Sequence, residues 1–150
     1  MTTAARRDLL THVLDTLVPA SDEFPVAGSV ALDHVLAMAR ASTEVDAVLS
    51  RALGLVEDAA RSTAADFAAL DVDGRERVLR LAEATDRLTF DALVRHAYDG
   101  YYSHPAVLTR LGLEPGPLHP RGHRVEVVEL PDELARVAAG RAIYRDVSSP

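Results

Sequence analysis

The sequence predicts an all-α protein, and three observations carry that prediction. Alanine and leucine dominate a chain that is 48% hydrophobic but only 5% aromatic, a composition suited to packed helices more than to a sheet. Glycine and proline are modest at 8 each, so few positions interrupt a helix. Apolar residues also recur at three- and four-residue spacing through most of the first hundred positions, the period of a helix that buries one face. A chain of 150 residues supports one core and not two. The expected architecture is therefore a single helical domain of about five to six helices over 1–112, followed by an extended arm, a short helix and a tail over 113–150.

Leu9, Leu10, Val13, Leu14, Leu17 and Val18 define the first helix, from about Thr3 to Val18, and Pro19 stops it. Ala20 to Gly28 reads as a loop containing Pro25, with Ser29 placed to accept the free amide hydrogens of a second helix that carries Val30, Leu32, Val35, Leu36 and Ala39. Ser42 and Thr43 can cap a third helix whose stripe of Val45, Val48, Leu49, Ala52, Leu53, Val56 and Ala60 faces the core. The pattern breaks over 62–72, where Phe67 and Leu70 are expected to plug into the core from a short turn. Asp73 and Glu76 have capping-box spacing for a fourth helix.

Val78, Leu79, Leu81, Ala82, Leu88, Leu93, Val94 and Ala97 continue that helix toward Tyr98. The stretch reads as one long helix or as two with a bend near Thr85 and Asp86, and the bend is preferred. Gly100 is expected to end it, Ser103 and Pro105 to start another short helix, and Gly112 to end that one. From Leu113 to Leu130 prolines and glycines give way to valines among charges, with no partner strand in view. A stretch of that kind is expected to be ordered by something outside the chain. Pro131 and Asp132 open a last short helix, and the tail carries Ile143 and Tyr144.

Composition excludes several functions. The absence of cysteine removes disulfides, thiolate metal sites and cysteine nucleophiles. The net charge of -7, with the arginines scattered singly, argues against a nucleic-acid partner. Arg6 and Arg7 are followed by no uninterrupted apolar segment, and no apolar run approaches a bilayer's thickness, so a cytoplasmic protein without direct membrane contact is expected. There is no glycine-rich dinucleotide fingerprint and no phosphate loop.

His96, His104, His119 and His123 cluster in the second half and raise the possibility of an independent helical binding domain that holds a metal or small ligand. Pro120 and Gly122 lie between His119 and His123, however, and prevent a shared helical face. Surface histidines that hydrogen-bond at an interface are the better reading. Asp71, Asp73 and Gly74 resemble a fragment of a calcium loop without its ligand ladder, and a helix cap accounts for them. Ser103 beside His104 lacks the setting of a nucleophile and its base. Tyr98, Tyr101 and Tyr102 sit around Gly100, and both readings of them stay open: rings in the core, or aromatic anchors of a protein contact.

Gly100, Tyr101, Tyr102, Ser103, His104 and Pro105, taken with Leu14, Asp15, Leu17, Val18, Pro19 and Ala20, resemble the gluconate 2-dehydrogenase subunit 3 family. Pro25 with Gly28, and Phe67 with Leu70, match further short pieces of that family's pattern, whereas His123 stands where the family usually has tyrosine. The resemblance implies a non-catalytic small subunit, without a cofactor of its own, that binds and stabilises a large FAD-dependent oxidoreductase of the glucose-methanol-choline type acting on sugars, glycosides or alcohols. On that reading the contact residues are Tyr98, Tyr101, Tyr102, Ser103, His104 and Pro105, joined by His119, Arg121, His123, Ile143, Tyr144 and Arg145 from the arm and tail.

Overall fold

The computed structural model describes residues 3–63 and 66–116. Among these, seven α-helices and one 3-10 turn form, and no strand. They are α1 Thr3–Leu17, α2 Ala27–Val30, α3 Leu32–Ala41, α4 Thr43–Ser62, the 3-10 turn Phe67–Ala69, α5 Val72–Thr85, α6 Arg87–Ser103 and α7 Pro105–Arg110. The chain divides into two compact units, 1–116 and 117–150. The expected arm from 117 onward, the last helix and the tail lie outside the described residues.

Helix α4 is the axis of the first unit. Its stripe of Leu49, Ala52, Leu53, Val56, Ala59 and Ala60 is buried, and α4 touches α1, α3, α5, α6 and the 3-10 turn. The three alanines let neighbouring backbones approach closely while the leucines and valine fill the space between them. From α1 come Leu9, Leu10, Val13 and Leu14. From α5 and α6 come Val78, Leu79, Ala82, Phe90, Leu93 and Ala97. Phe67 is 1% exposed, so the 3-10 turn does plug the core. Arg75 braces that turn from outside, donating from Nε to the Phe67 carbonyl at 3.2 Å and from Nη2 to the Ala68 carbonyl at 2.6 Å. No polar or charged side chain is buried among the described residues.

Three sequence expectations are corrected. The second helix is split into α2 and α3, and Ser29 does not cap it. Ser29 lies inside α2 and its hydroxyl donates to the Val26 carbonyl at 2.7 Å. The fourth helix starts one residue after Asp71, whose carboxylate accepts from the Gly74 amide at 2.8 Å, so Asp73 lies within the first turn instead of at the cap. Gly100 does not end α6, which continues to Ser103. Other expectations hold: Ser42 caps α4 by accepting from the Val45 amide at 3.3 Å, and α5 and α6 meet at Asp86.

Asp86 carries the α5–α6 joint. It ends α5 and caps α6, accepting from the Thr89 amide at 3.2 Å and the Thr89 hydroxyl at 2.8 Å, while Arg51 of α4 lies 2.6 Å away. The amide hydrogen bond from Thr89, then the Thr89 hydroxyl, with a contribution from Arg51, hold its carboxyl below the usual 3.8 against partial desolvation. A lowered carboxyl stabilises the fold above its ordinary pKa, and that stabilisation is lost as pH falls through the lowered value. The substitution Asp86→Asn keeps an oxygen that can cap the helix but removes the charge. The difference in thermal stability between the parent and this variant should therefore be constant from about pH 8 to pH 6 and close below about pH 4. A difference that persists unchanged to about pH 3 would show that the ionised carboxylate contributes nothing specific.

Candidate functional site

The residues singled out by pattern converge on one end of the helical body, where the C-terminal half of α6, α7 and the loop 18–26 meet. The loop is tied off at its base by the Ala27 amide donating to the Val18 carbonyl at 3.1 Å, and closed at its tip by the Ser21 amide donating to the Phe24 carbonyl at 3.0 Å. Helix α2 has no side-chain cap of its own. Asp15, reaching from α1, supplies the missing acceptor and takes the Gly28 amide at 2.8 Å. Residue 28 must be glycine for this to work, since a Cβ there would lie 2.2 Å from the same Asp15 oxygen.

Gly100 answers a second constraint. It is buried within α6, and a Cβ on it would stand 3.1 Å from the Ala31 carbonyl oxygen and 3.2 Å from both the Ala31 and His34 Cβ atoms. Helix α6 therefore crosses the α2–α3 corner nearly backbone to backbone, and a larger residue would push the helices apart. The next residue uses that proximity. Tyr101 is 3% exposed and its hydroxyl donates to the Pro25 carbonyl at 2.8 Å, fixing the loop to α6. Burial first, then the neighbouring Tyr102, push the Tyr101 hydroxyl above its ordinary pKa of 10.0, with Arg110 opposing.

The remaining signature residues build the turn into α7. The Ser103 hydroxyl donates to the Gly100 carbonyl at 3.2 Å. His104 is the N-cap, its Nδ1 accepting from the Ala106 amide at 3.3 Å, and Pro105 takes the first helical position, where a missing amide hydrogen does no harm. Helix α7 closes on Gly112 at φ 73°, with the Leu113 amide donating to the Leu108 carbonyl at 2.9 Å and the Gly112 amide to the Thr109 carbonyl at 3.1 Å. Arg110 then returns to the loop and donates to the Glu23 carbonyl.

The three tyrosines thus divide. Tyr101 belongs to the core and is corrected from a contact residue to a structural one. Tyr98 and Tyr102 are 44% and 52% exposed. Their rings lie 5.9 Å apart at 48°, and Tyr102 meets the buried Tyr101 ring edge-on at 5.3 Å and 89°. The exposed pair is therefore braced from beneath. Further along the same face, at three- and four-residue spacing toward the N-terminus of α6, lie the exposed Arg95 and Asp91 and then Leu88, which is 83% exposed. This stripe of tyrosine, arginine and leucine spans about 20 Å of helix. The sequence places Leu88 in the apolar helical pattern and not among the contact residues.

Ser103 and Pro105 are exposed and His104 is half-buried. His119, Arg121, His123, Ile143, Tyr144 and Arg145 lie outside the described residues. Among the described residues no group of three or more histidine, aspartate or glutamate side chains could hold a metal ion. No helix among them is long and apolar enough to cross a membrane.

The sequence model of the family described as gluconate 2-dehydrogenase subunit 3 matches residues 4–114, so the match takes in all seven described helices and ends before the segment from 117 onward. No curated protein and no solved structure matches the chain.

Replacing Tyr101 with phenylalanine removes the donor to Pro25 but keeps the ring, and should lower stability by about 0.5–1.5 kcal/mol at neutral pH. Because the fold raises this hydroxyl's pKa, the stabilisation is present in full below about pH 10 and is lost as pH rises through the raised value. Thermal unfolding of parent and variant between about pH 8 and pH 11 should show the two curves converging at the alkaline end. Parallel curves throughout would contradict the assignment of that bond.

Proposed function

We propose, from the premise that this chain belongs to the gluconate 2-dehydrogenase subunit 3 family, that it is the accessory small subunit of a dehydrogenase complex and carries no catalytic machinery of its own. The large subunit on this reading is an FAD-dependent oxidoreductase of the glucose-methanol-choline type, with a sugar, glycoside or alcohol as substrate, and the small subunit binds and stabilises it. The flavin belongs to that partner, because this chain lacks the glycine-rich turn that would cradle a dinucleotide pyrophosphate. The complex would assemble in the cytoplasm.

One observation carries the docking surface. Most of the family signature is used internally, as close contact, loop anchor, cap and turn, and of its two tyrosines Tyr102 is left exposed, paired with the exposed Tyr98 one turn before it. Two exposed tyrosines whose rings already rest on one another lose little freedom when a partner covers them. Each ring supplies a large apolar area with a polar tip, the combination found at contact hot spots, and Arg95 adds a guanidinium on the same face. Burying Leu88 adds apolar area at the far end of the stripe. His119, Arg121, His123, Ile143, Tyr144 and Arg145 would add contacts from the second unit.

The test is co-expression of the large subunit with this chain. The double variant Tyr98→Ala/Tyr102→Ala should weaken association by about two orders of magnitude, because each anchor contributes about 1–2 kcal/mol. Both rings are substantially exposed, so the isolated variant should keep the parent's thermal stability to within about 0.5 kcal/mol. The large subunit should also lose flavin and yield in step with the lost association. Full association by the double variant would remove α6 as the docking face, and equal flavin content with and without the small subunit would remove the stabilising role.

A further inference from the structure

We propose that the exposed face of α6 also takes a second copy of this chain, in an antiparallel pair whose twofold axis lies at the level of residue 93. The pairing rests on the reading of this face as a docking surface, and it names what covers that surface when no large subunit is present. Its ground is the order of charges along the helix.

Arg87, Leu88, Asp91, Arg95, Tyr98 and Asp99 are all exposed. At 3.6 residues per turn they fall within one arc of about 120° and span about 18 Å of helix. Their charges alternate in sign at four-residue steps. When two such helices lie antiparallel with residue 93 level on both, residues equally far from 93 on either side stand at the same height. Asp91 then comes level with Arg95 of the second copy, Arg87 with Asp99, and Leu88 with Tyr98. Each pairing occurs twice, because a twofold contact is isologous.

Other arrangements of the same helices are repelled. Moving the axis two residues toward the N-terminus sets Arg87 level with Arg95 and Asp91 with Asp91, and moving it two residues the other way sets Asp91 level with Asp99 and Arg95 with Arg95. A parallel pair in register sets every charge against its own kind. Attraction in one register and repulsion in its neighbours is the pattern that specifies a partner, and here the partner it specifies is the same sequence.

The groups are available. The Arg95 and Asp99 side chains form no ion pair or hydrogen bond among the described residues. Arg87 Nε lies 3.6 Å from Asp91 Oδ2, too long for a hydrogen bond, and the two side chains are 79% and 51% exposed, so that pair is weak and leaves both free to reach across. Leu88 and Tyr98 supply apolar area between the charges. A contact of one helix per chain is small, so the dimer is weak and gives way to a larger interface.

Sedimentation equilibrium of the full chain alone, from about 10 to 500 µM, should show a monomer–dimer equilibrium. Asp91→Arg and Arg95→Asp each set like charges level and should raise the dissociation constant about tenfold or more. Mixed one to one, the two single variants set the introduced arginine against the introduced aspartate, and the mixture should dimerise as strongly as the parent. The double variant Asp91→Arg/Arg95→Asp should do the same by itself. Both positions are exposed, so thermal unfolding should confirm that every variant is folded. A parent that stays monomeric, single variants that associate as the parent does, or a mixture no better than its components each overturns the proposal. No large subunit is present in these measurements, so their failure leaves the docking reading to its own co-expression test.

Discussion

The backbone contact of α6 with the α2–α3 corner is the constraint on which the rest of this end depends. It exists because residue 100 has no side chain, since a Cβ would meet the Ala31 carbonyl oxygen at 3.1 Å. Beside that crossing the Tyr101 hydroxyl reaches the Pro25 carbonyl, and Arg110 reaches the Glu23 carbonyl of the same loop. Tyr102 in turn finds the buried Tyr101 ring as an edge-on support. A chain of contacts thus runs from one missing methyl group to the orientation of an exposed aromatic ring.

Helix ends show how the fold handles polar backbone with no buried polar side chains among the described residues. Each helix start leaves amide hydrogens without intrahelical partners. Ser42, Asp66, Asp71, Asp86 and His104 satisfy one such group apiece at the starts of α4, the 3-10 turn, α5, α6 and α7. Helices α2 and α3 have no side-chain cap at their starts, and α2 borrows an acceptor from Asp15 on α1. A borrowed cap does more than a local one, because it fixes the position of α2 against α1 as well as its start. That is the reason the loop 18–26, with Pro25 at its exit, presents its carbonyl oxygens at defined places.

Period and composition were sufficient for the helices because each buries a stripe at three- and four-residue spacing, and the α4 stripe from Leu49 to Ala60 was legible but for Ala59. What escaped the sequence was chemistry acting between segments. Ser29 looks like a cap because it follows a loop and precedes an apolar run, yet the effective acceptor is Asp15 on another helix, 13 residues before the Gly28 amide it takes. Gly100 looks like a stop because glycine often ends helices, whereas here its value is the absence of a Cβ against a neighbouring backbone. Glycine's two uses, conformational and steric, cannot be told apart from one sequence. Gly112, at φ 73°, is the conformational kind and was read correctly. Leu88 escaped for the opposite reason: its place in a helical apolar pattern reads as core, and 83% exposure reveals that it is not.

The candidate site was legible as a place but not as a set of roles. The glycine-tyrosine signature gathers at one end of the helical body, and it lies within the family match over residues 4–114. A signature of this kind marks whatever substitution disrupts, and a buried joint is disrupted by more substitutions than a surface is. It is therefore physically reasonable that five of its six residues, Gly100, Tyr101, Ser103, His104 and Pro105, answer to packing, turn and capping. The inference to a partner then rests on the residue with no internal task, Tyr102, and on its neighbour Tyr98 one turn before it. An exposed tyrosine that the fold takes pains to orient, through a ring contact of 5.3 Å on one side and 5.9 Å on the other, is better explained by something that lands on it than by the needs of the core beneath.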